Sequence, residues 1–553
     1  MNFDGMIKRV SPSWALSRAQ NKNRMAKAEA ETELINRRME LFDSFLGEKV
    51  SNSGYSNGGA ARNKTWSREW NSESLSPKSD IEENRKVLRE RSRDLAMNAP
   101  LGTAAVASTR TNCVGSGLSP KPRIDYEFLG MSESAAKELQ KQIKKEFDIW
   151  ASSTLCDNND QNNFYELQQI AFMDWLRNGE EFALIKYDSE KSYMPYQLRI
   201  KLIEADRISS PGSLDGDYFG DKKTAKNGNS IINGVEIDSS GKVEAYYVAS
   251  NFPGETGGGQ TRWARIKKRG DKTGNPNILH IFNAERAEQY RGVPFLAPVI
   301  ETLKQLTRYT EAEIMAAVIN AMFSIFIQTE TGEELGGFRG EADDEEDRED
   351  EDEDDKILLG SGTVNFLKVG EKVVPVESTH PSGGFDAFSN AMASMIGAAL
   401  EIAPEVLLKK FTNNFSASKG AMNETWKSFK MRRTWFVEDF CQEIYSLWFA
   451  EAVSKGRIKA PGFFNDITIR KAYTNAKWNG PAQGQLDPVK EVNAAVSRMK
   501  NGLSTHEDEC IAMNGSDYED NVRALKNENT LLREAGEGMN PEQEKEEEES
   551  DHV

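Results

Sequence analysis

Residues 278–328 read ILHIFNAERAEQYRGVPFLAPVIETLKQLTRYTEAEIMAAVINAMFSIFIQ. Ile278, Leu279, Ile281 and Phe282 form a short apolar run of the kind a buried strand uses. A polar turn follows, then Pro294 and Pro298, and Pro298 suits the first turn of a helix, where its missing N–H costs nothing. From there to about Gln328 no proline or glycine interrupts. Glu301, Lys304, Arg308 and Glu311 recur at three- and four-residue spacing and share one helix face. In the second half the charge disappears and the helix is apolar nearly all round, so protein or lipid must cover it. Its longest apolar run, residues 314–327, is 14 residues and contains Asn320 and Ser324. A membrane-spanning helix needs about 20. Cover by protein, with no membrane, is therefore expected.

The rest of the chain frames that helix. At 553 residues it exceeds one comfortable core, so two or more domains are expected. The net charge of −18 is localised: residues 341–356 hold 13 acids and two bases (−11), and residues 542–551 hold seven acids and one lysine (−6). Without these two segments the body is left at −1. Such a body can still carry local nucleic-acid contacts, because local patches decide that question. Cys113, Cys156, Cys441 and Cys510 are far apart, and the four histidines are scattered. Neither a disulfide framework nor a metal site is expected, no cofactor is implied, and reduced thiols in a cytosol-like compartment fit. The first residues lack a basic-then-apolar signal pattern.

In chain order, residues 12–44 read as a helical arm and residues 47–80, rich in Gly, Ser and Asn, as mobile. Arg85, Arg89, Arg91 and Arg93 lead the next helix; with Glu83, Glu90 and Asp94 nearby they read as a solvated face. VGSG (114–117) is a lone GxG and reads as a turn. Helices are expected at 132–150 and at 164–178, the latter closed by Gly179, then strands at 181–187 and 196–203. NGVEIDSSGKVEAYYVAS (233–250) reads as a hairpin. Asp206 and Asp238 could be imagined as metal carboxylates, but turn chemistry explains both better. Residues 251–276 read as loop. After the acidic block, strands are expected at 357–359, 364–367 and 373–376, then a small-residue helix over 385–402. EVLLKKFTNNFSASKG (405–420) holds Lys409, Lys410 and Lys419 with Asn413 and Asn414, and no acid after Glu405. A long helix over 416–455, a strand-like run at Ile467 and Ile469, and two or three short helices follow. Asp487–Pro488 opens one of these, Gly502 closes it, and Ser504 with Glu507 makes a capping box for the next.

LRERSRDLAMNAPLGTAAV (88–106), NGEEFAL (178–184), LIEADRI (202–208), NGVEIDSSGKVEAYYV (233–248) and the opening stretch to Ile300 occur in an order that resembles tailed-bacteriophage portal proteins of the lambda-like family. FSASKGAMNETWKSFKMRR (415–433), WNGPAQGQLDPVKEV (478–492) and GLSTHEDE (502–509) continue it. The resemblance covers about Pro12 to Asn529; the acidic insert departs from it. It implies an α+β, mainly helical subunit with a wing, a paired-helix stem, a small β-containing clip and a helical crown, assembled as a ring, usually twelvefold. The boundaries it implies are an arm and linker (1–80), wing (81–297), stem helix (298–328) and clip (329–384). They continue with a second stem helix (385–403), channel loop (404–420), wing helix and strand (421–477), crown (478–535) and acidic, disordered tail (536–553). It also implies the virion portal vertex as location, assembled in the bacterial host cytoplasm. Implied partners are double-stranded DNA bound without sequence preference, the terminase large subunit, the major capsid and scaffold proteins, and the head-tail connector.

Lys409, Lys410, Asn413, Asn414 and Lys419 are the candidate DNA-channel contacts, since a cationic, acid-poor loop suits brief phosphate contact without base reading. An exposed lysine pair that contacts nothing is the bland alternative for Lys409 and Lys410. Val318, Met322, Ile325, Met392 and Met395 are the candidate ring-interface residues, because uncharged helices need helical neighbours and a closed ring supplies them. No phosphate-binding GxxxxGK[ST] and no catalytic constellation occurs in the sequence, so an enzyme such as a packaging-associated nuclease or hydrolase is disfavoured. A capsid scaffold or adaptor without a channel is the other alternative.

Overall fold

The structure, a computed structural model, describes residues 12–45, 73–189, 191–212, 223–252, 261–322, 326–329, 371–374, 384–411, 415–485 and 487–535. The chain divides into two units, residues 1–74 and 75–553. The first contains helix α1 (Pro12–Phe45), whose described side chains are all exposed.

The second unit is mainly helical with small antiparallel sheets. It opens with α2 (Pro77–Glu82), capped by Ser76, then α3 (Arg85–Asn98) and α4 (Pro100–Cys113). Pro100 splits what the sequence offers as one helix, because the residue before a proline is pushed out of the helical region; Ala99 is extended. Gly115 and Gly117 have positive φ and form the expected turn; a Cβ at Gly117 would collide with Tyr165. β1 (Ser119–Pro122) follows, then α5 (Glu133–Ala151), capped by Ser132. α6 (Phe164–Asn178) starts at a capping box of Asn163 and Glu166 and stops at left-handed Gly179.

β2 (Glu180–Tyr187) and β3 (Leu198–Glu204) pair antiparallel. β4 (Lys223–Thr224), β5 (Ser230–Ile232), β6 (Val235–Ile237), β7 (Val243–Ala249) and β8 (Trp263–Lys267) form a five-stranded meander. Asp238 turns the expected hairpin: its Oδ1 accepts from Ser240 N at 2.8 Å and Lys242 N at 3.0 Å. β8 lies in the segment expected to be loop. Its Lys and Arg content reflects an edge strand, where charge is tolerated on the open side. β9 (Ile278–Phe282) completes the order β3-β2-β9.

After a 3-10 turn at Ala297–Val299, α7 runs over Ile300–Met322. The sequence expectation carried this helix to Gln328, but β10 (Phe326–Thr329) lies there, paired with β11 (Glu371–Val374). Phe326 and Ile327 favour the pleated conformation over a helix. β11 overlaps the expected 373–376 strand; the other two expected strands and the acidic insert lie outside the described residues. α8 (Phe385–Ala399), the short α9 (Pro404–Leu407), α10 (Phe415–Phe436) and α11 (Gln442–Ser454) follow, the last two joined by a π turn at Val437–Cys441.

Ile467 and Ile469 alternate like a strand but belong to α12 (Ile467–Thr474). Asp466 accepts there from Thr468 N at 2.7 Å, and the N-cap outweighs the β-branched pattern. β12 (Ala476–Asn479) pairs with β1, a pairing hidden in sequence by Pro120 and Pro122. α13 (Pro488–Lys500) opens at Asp487 as expected, with Gly502 just past its end at positive φ. For α14 (His506–Asn514) the cap is Thr505, accepting from Asp508 N at 3.1 Å, one residue on from the expected Ser504. α15 (Tyr518–Glu534) is the last helix described.

The largest core gathers aromatic residues from α5, α6, α10, α11 and the π turn. Phe147 meets Trp448 edge-on at 4.9 Å, and Phe172 meets Phe436 at 5.2 Å. No described helix is long and apolar enough to cross a membrane.

Candidate functional site

Three features converge on the region where α7 leaves the body. The first is a buried ionic knot. β2 begins with Glu180 and Glu181, both 0 % exposed, on opposite faces of the strand. Glu180 receives Arg291 Nε at 2.8 Å, Arg89 Nη2 at 2.7 Å, His280 Nε2 at 3.0 Å and Gly292 N at 3.0 Å. Arg291 uses its remaining donors on Ile208 O and Ala205 O, each at 3.0 Å, and on Asn233 O. Burial alone would raise the Glu180 carboxyl; Arg291, His280 and Arg89 outweigh it and hold the group well below its ordinary value. Burial keeps His280 below its ordinary value despite Glu180 beside it.

Arg89 also reaches Asp206 Oδ1 at 3.0 Å, and Arg93 pairs with the other oxygen of Asp206. The solvated-face reading of these arginines is therefore wrong for Arg85, Arg89 and Arg93. They sit one helical turn apart and pack into the body, Arg89 at 2 % exposure. Asp206 does lie in a turn, but its role is an ion pair 113 residues from Arg93 in sequence. The sequence reading missed the knot, though its members sit in the quoted segments 88–106, 178–184, 202–208 and 278–300. The i, i+4 arginine spacing was the available signal.

The second feature is the helix pair. Ile300, Leu303 and Leu306 are buried, so the charged first half of α7 is its anchored end. Tyr309 packs on Phe385 and Phe388 of α8, centroids 5.7 and 4.7 Å apart. Beyond Glu311 no described side chain of α7 is buried: Ile314 and Met315 are each 59 % exposed and Val318 47 %. On α8, Met395 is 64 % exposed, whereas Met392 packs against the subunit's own core and is half-buried. The side chain of Met322 and residue Ile325 lie outside the described residues. Ile314 and Met315 are additions to the candidate face that their position in the apolar run could have indicated.

The third feature is the loop after α8. Gly397 admits the returning chain, with Ile402 N donating to its carbonyl at 2.8 Å; a Cβ there would sit 2.5 Å from Ile402 O. Ala403 N donates to Thr425 Oγ1 at 2.8 Å, and Arg432 Nη2 lies 3.0 Å from Glu401 Oε2. Buried Leu407 pins α9, and Lys409 and Lys410 follow it, both exposed, Lys409 with left-handed backbone. Asn413 and Asn414 lie outside the described residues. Lys419 is not in a loop: it lies on α10, half-buried, with Nζ 2.8 Å from Glu491 Oε1. The described geometry therefore brings Lys409 and Lys410 together and directs Lys419 to α13.

Comparison with known proteins identifies the family. Residues 63–433 match the model of the phage portal protein, lambda family. The portal protein of Escherichia phage N15 is 25 % identical over 490 residues, covering 86 % of this chain and 89 % of that protein. Portal protein B of Escherichia phage lambda is 25 % identical over 496 residues, with the same coverages. Among solved structures, a chain from the virion of a native gene transfer agent particle covers 77 % of this chain and 92 % of its own. Its identity is 13 % and its TM-score 0.38, a superposition too loose to carry an argument. With more than half of its length matched by the family model, the chain belongs to the lambda family of phage portal proteins.

Proposed function

We propose that this chain is the subunit of a closed ring, twelvefold by family resemblance, at one vertex of the virion capsid. Double-stranded DNA enters and leaves through its axial channel during packaging and ejection. The family is one of structural virion proteins rather than enzymes. The observation that carries the ring is α7 itself: anchored at Leu303 and Leu306, it continues into a segment whose Ile314, Met315 and Val318 stay exposed among the described residues. Neighbouring copies bury such faces, and a head-to-tail contact that closes is a ring.

In this reading α7 and α8 are the stem, residues 329–384 the clip facing the terminase large subunit and later the head-tail connector, and residues 478–535 the crown. The wing faces capsid and scaffold proteins. Lys409 and Lys410, just after α9, touch passing phosphates, with Asn413 and Asn414 beside them in sequence. Ring contacts run through Val318, Met322, Ile325 and Met395, with Met392 backing them from inside the subunit. Native mass measurement and negative-stain imaging of the purified protein test the reading. Rings with an axial hole are expected; monomers or solid particles overturn it and favour a scaffold or adaptor.

A further inference from the structure

The crown carries two apolar seams that no described part of the subunit covers. On α13 and the residue turn after it, Val489, Val492, Val496, Met499 and Leu503 recur at alternating three- and four-residue spacing. All but half-buried Met499 are exposed. The neighbouring face of α13 is already committed to the subunit: Ala495 is buried and Arg498 pairs with Glu509 at 2.6 Å. On α15, Val522, Leu525, Asn529 and Leu532 show the same spacing. From Val522 to its end every side chain of α15 is exposed. A helix of this length is marginal alone in water and gains its stability from packing. The repeat is that of a coiled-coil seam, and a single Asn at a core position is the device that sets register and partner.

We infer that, in the ring of the proposed function on which this inference rests, the α15 seam of one copy packs into the α13 seam of the next. The two seams match in period and comparable length, and pairing them between copies covers both at once. The contact is heterologous and repeats around a ring, as the stem contact does. Charge selects this pairing over α15 against α15. Residues 542–551 follow α15 and total −6 in each copy, so pairing identical α15 helices gathers like charge.

The test is inter-subunit crosslinking in the full-length protein. Cys113, Cys156 and Cys441 are buried, and Cys510 is removed as Cys510→Ser. In that background the double variant Val492→Cys with Leu525→Cys, and each single variant, are treated with a short bismaleimide. On a denaturing gel the double variant shifts to a ladder of dimers and larger multimers, and both single variants stay monomeric. Dimers from Leu525→Cys alone mean α15 meets α15, and a compact monomer from the double variant means the seams meet within one chain; either overturns the inference. Native mass is read on the same samples. Intact rings without a ladder overturn the crown pairing and leave the portal reading standing, whereas loss of rings in the Cys510→Ser parent and the unmodified protein overturns the portal reading itself.

Discussion

Arg291 Nη2 lies 2.6 Å from Glu180 Oε1, with both side chains fully buried, and this contact ties the loop that leads into α7 to the first residue of β2. Removing one partner of a buried, hydrogen-bonded ion pair costs about 3–5 kcal/mol, because the other charge is left uncompensated. Glu180→Gln strands Arg291 and part of Arg89, and Arg291→Lys forfeits the forked geometry. Both variants are expected to lose stability on that scale in denaturant unfolding, and a loss below about 1 kcal/mol would contradict the hub role.

Glu181 gives the opposite pH signature. Burial, then the charges of Asp174 and Glu204, push its carboxyl well above the ordinary value of 4.5, and burial pushes Asp174 up to about 6. A group whose folded value is raised stabilises fully below its unfolded value and loses that contribution as pH rises. Glu181→Gln cannot ionise. Measured against the unmodified protein, its stability should be relatively higher at pH 8 than at pH 4. A difference that does not change with pH would refute the assignment.

Close approach makes Gly292 irreplaceable. A Cβ there would lie 2.0 Å from Gly179 O, backbone that cannot swing away. Gly292→Ala should abolish soluble expression or cost several kcal/mol, in the range of severe core changes of about 4–5 kcal/mol. Gly420 sits inside α10 with nothing within 4 Å of an added Cβ. Gly420→Ala should stabilise by about 1 kcal/mol through helix propensity. Thermal unfolding of the two variants separates the cases.

For the stem, Val318→Asp adds charge to a side chain that is half-exposed in the subunit. Subunit stability should change by less than about 0.5 kcal/mol, while the fraction in rings falls. Lys304→Glu, on the exposed side of the anchored half, should leave ring formation intact. Native mass spectra read both, and equal ring fractions would exclude Val318 from the interface.

Replacing Lys409 and Lys410 together by Glu should leave the ring mass unchanged and reduce packaged or retained DNA. Each phosphate contact contributes about 0.9 to the logarithmic salt slope of duplex binding, so the variant should be less salt-sensitive than the unmodified protein and the defect should narrow with added salt. Normal packaging would remove these lysines from the channel.

Several local signals in the sequence were read correctly where the physics is local: Gly179 and Asp487–Pro488 mark helix ends by hydrogen bonds within four residues, and Asp238 closes its turn the same way. The Asn163–Glu166 box and the Asp466 cap are equally local, but they went unread. The ordered segments around Glu180, Asp206 and Arg291 sufficed to name the family. Only the tertiary structure decided what those segments do. Arg89 has Glu90 beside it in sequence, yet its partners Glu180 and Asp206 stand 91 and 117 residues away. Ion pairing depends on which charges folding buries together, and that is set by chain crossing rather than by neighbours. The same reason separates the two halves of α7: its apolar residues announce in sequence that they need cover, but only the folded subunit shows that Leu303 and Leu306 receive it and that, among the described residues, Ile314, Met315 and Val318 stay exposed.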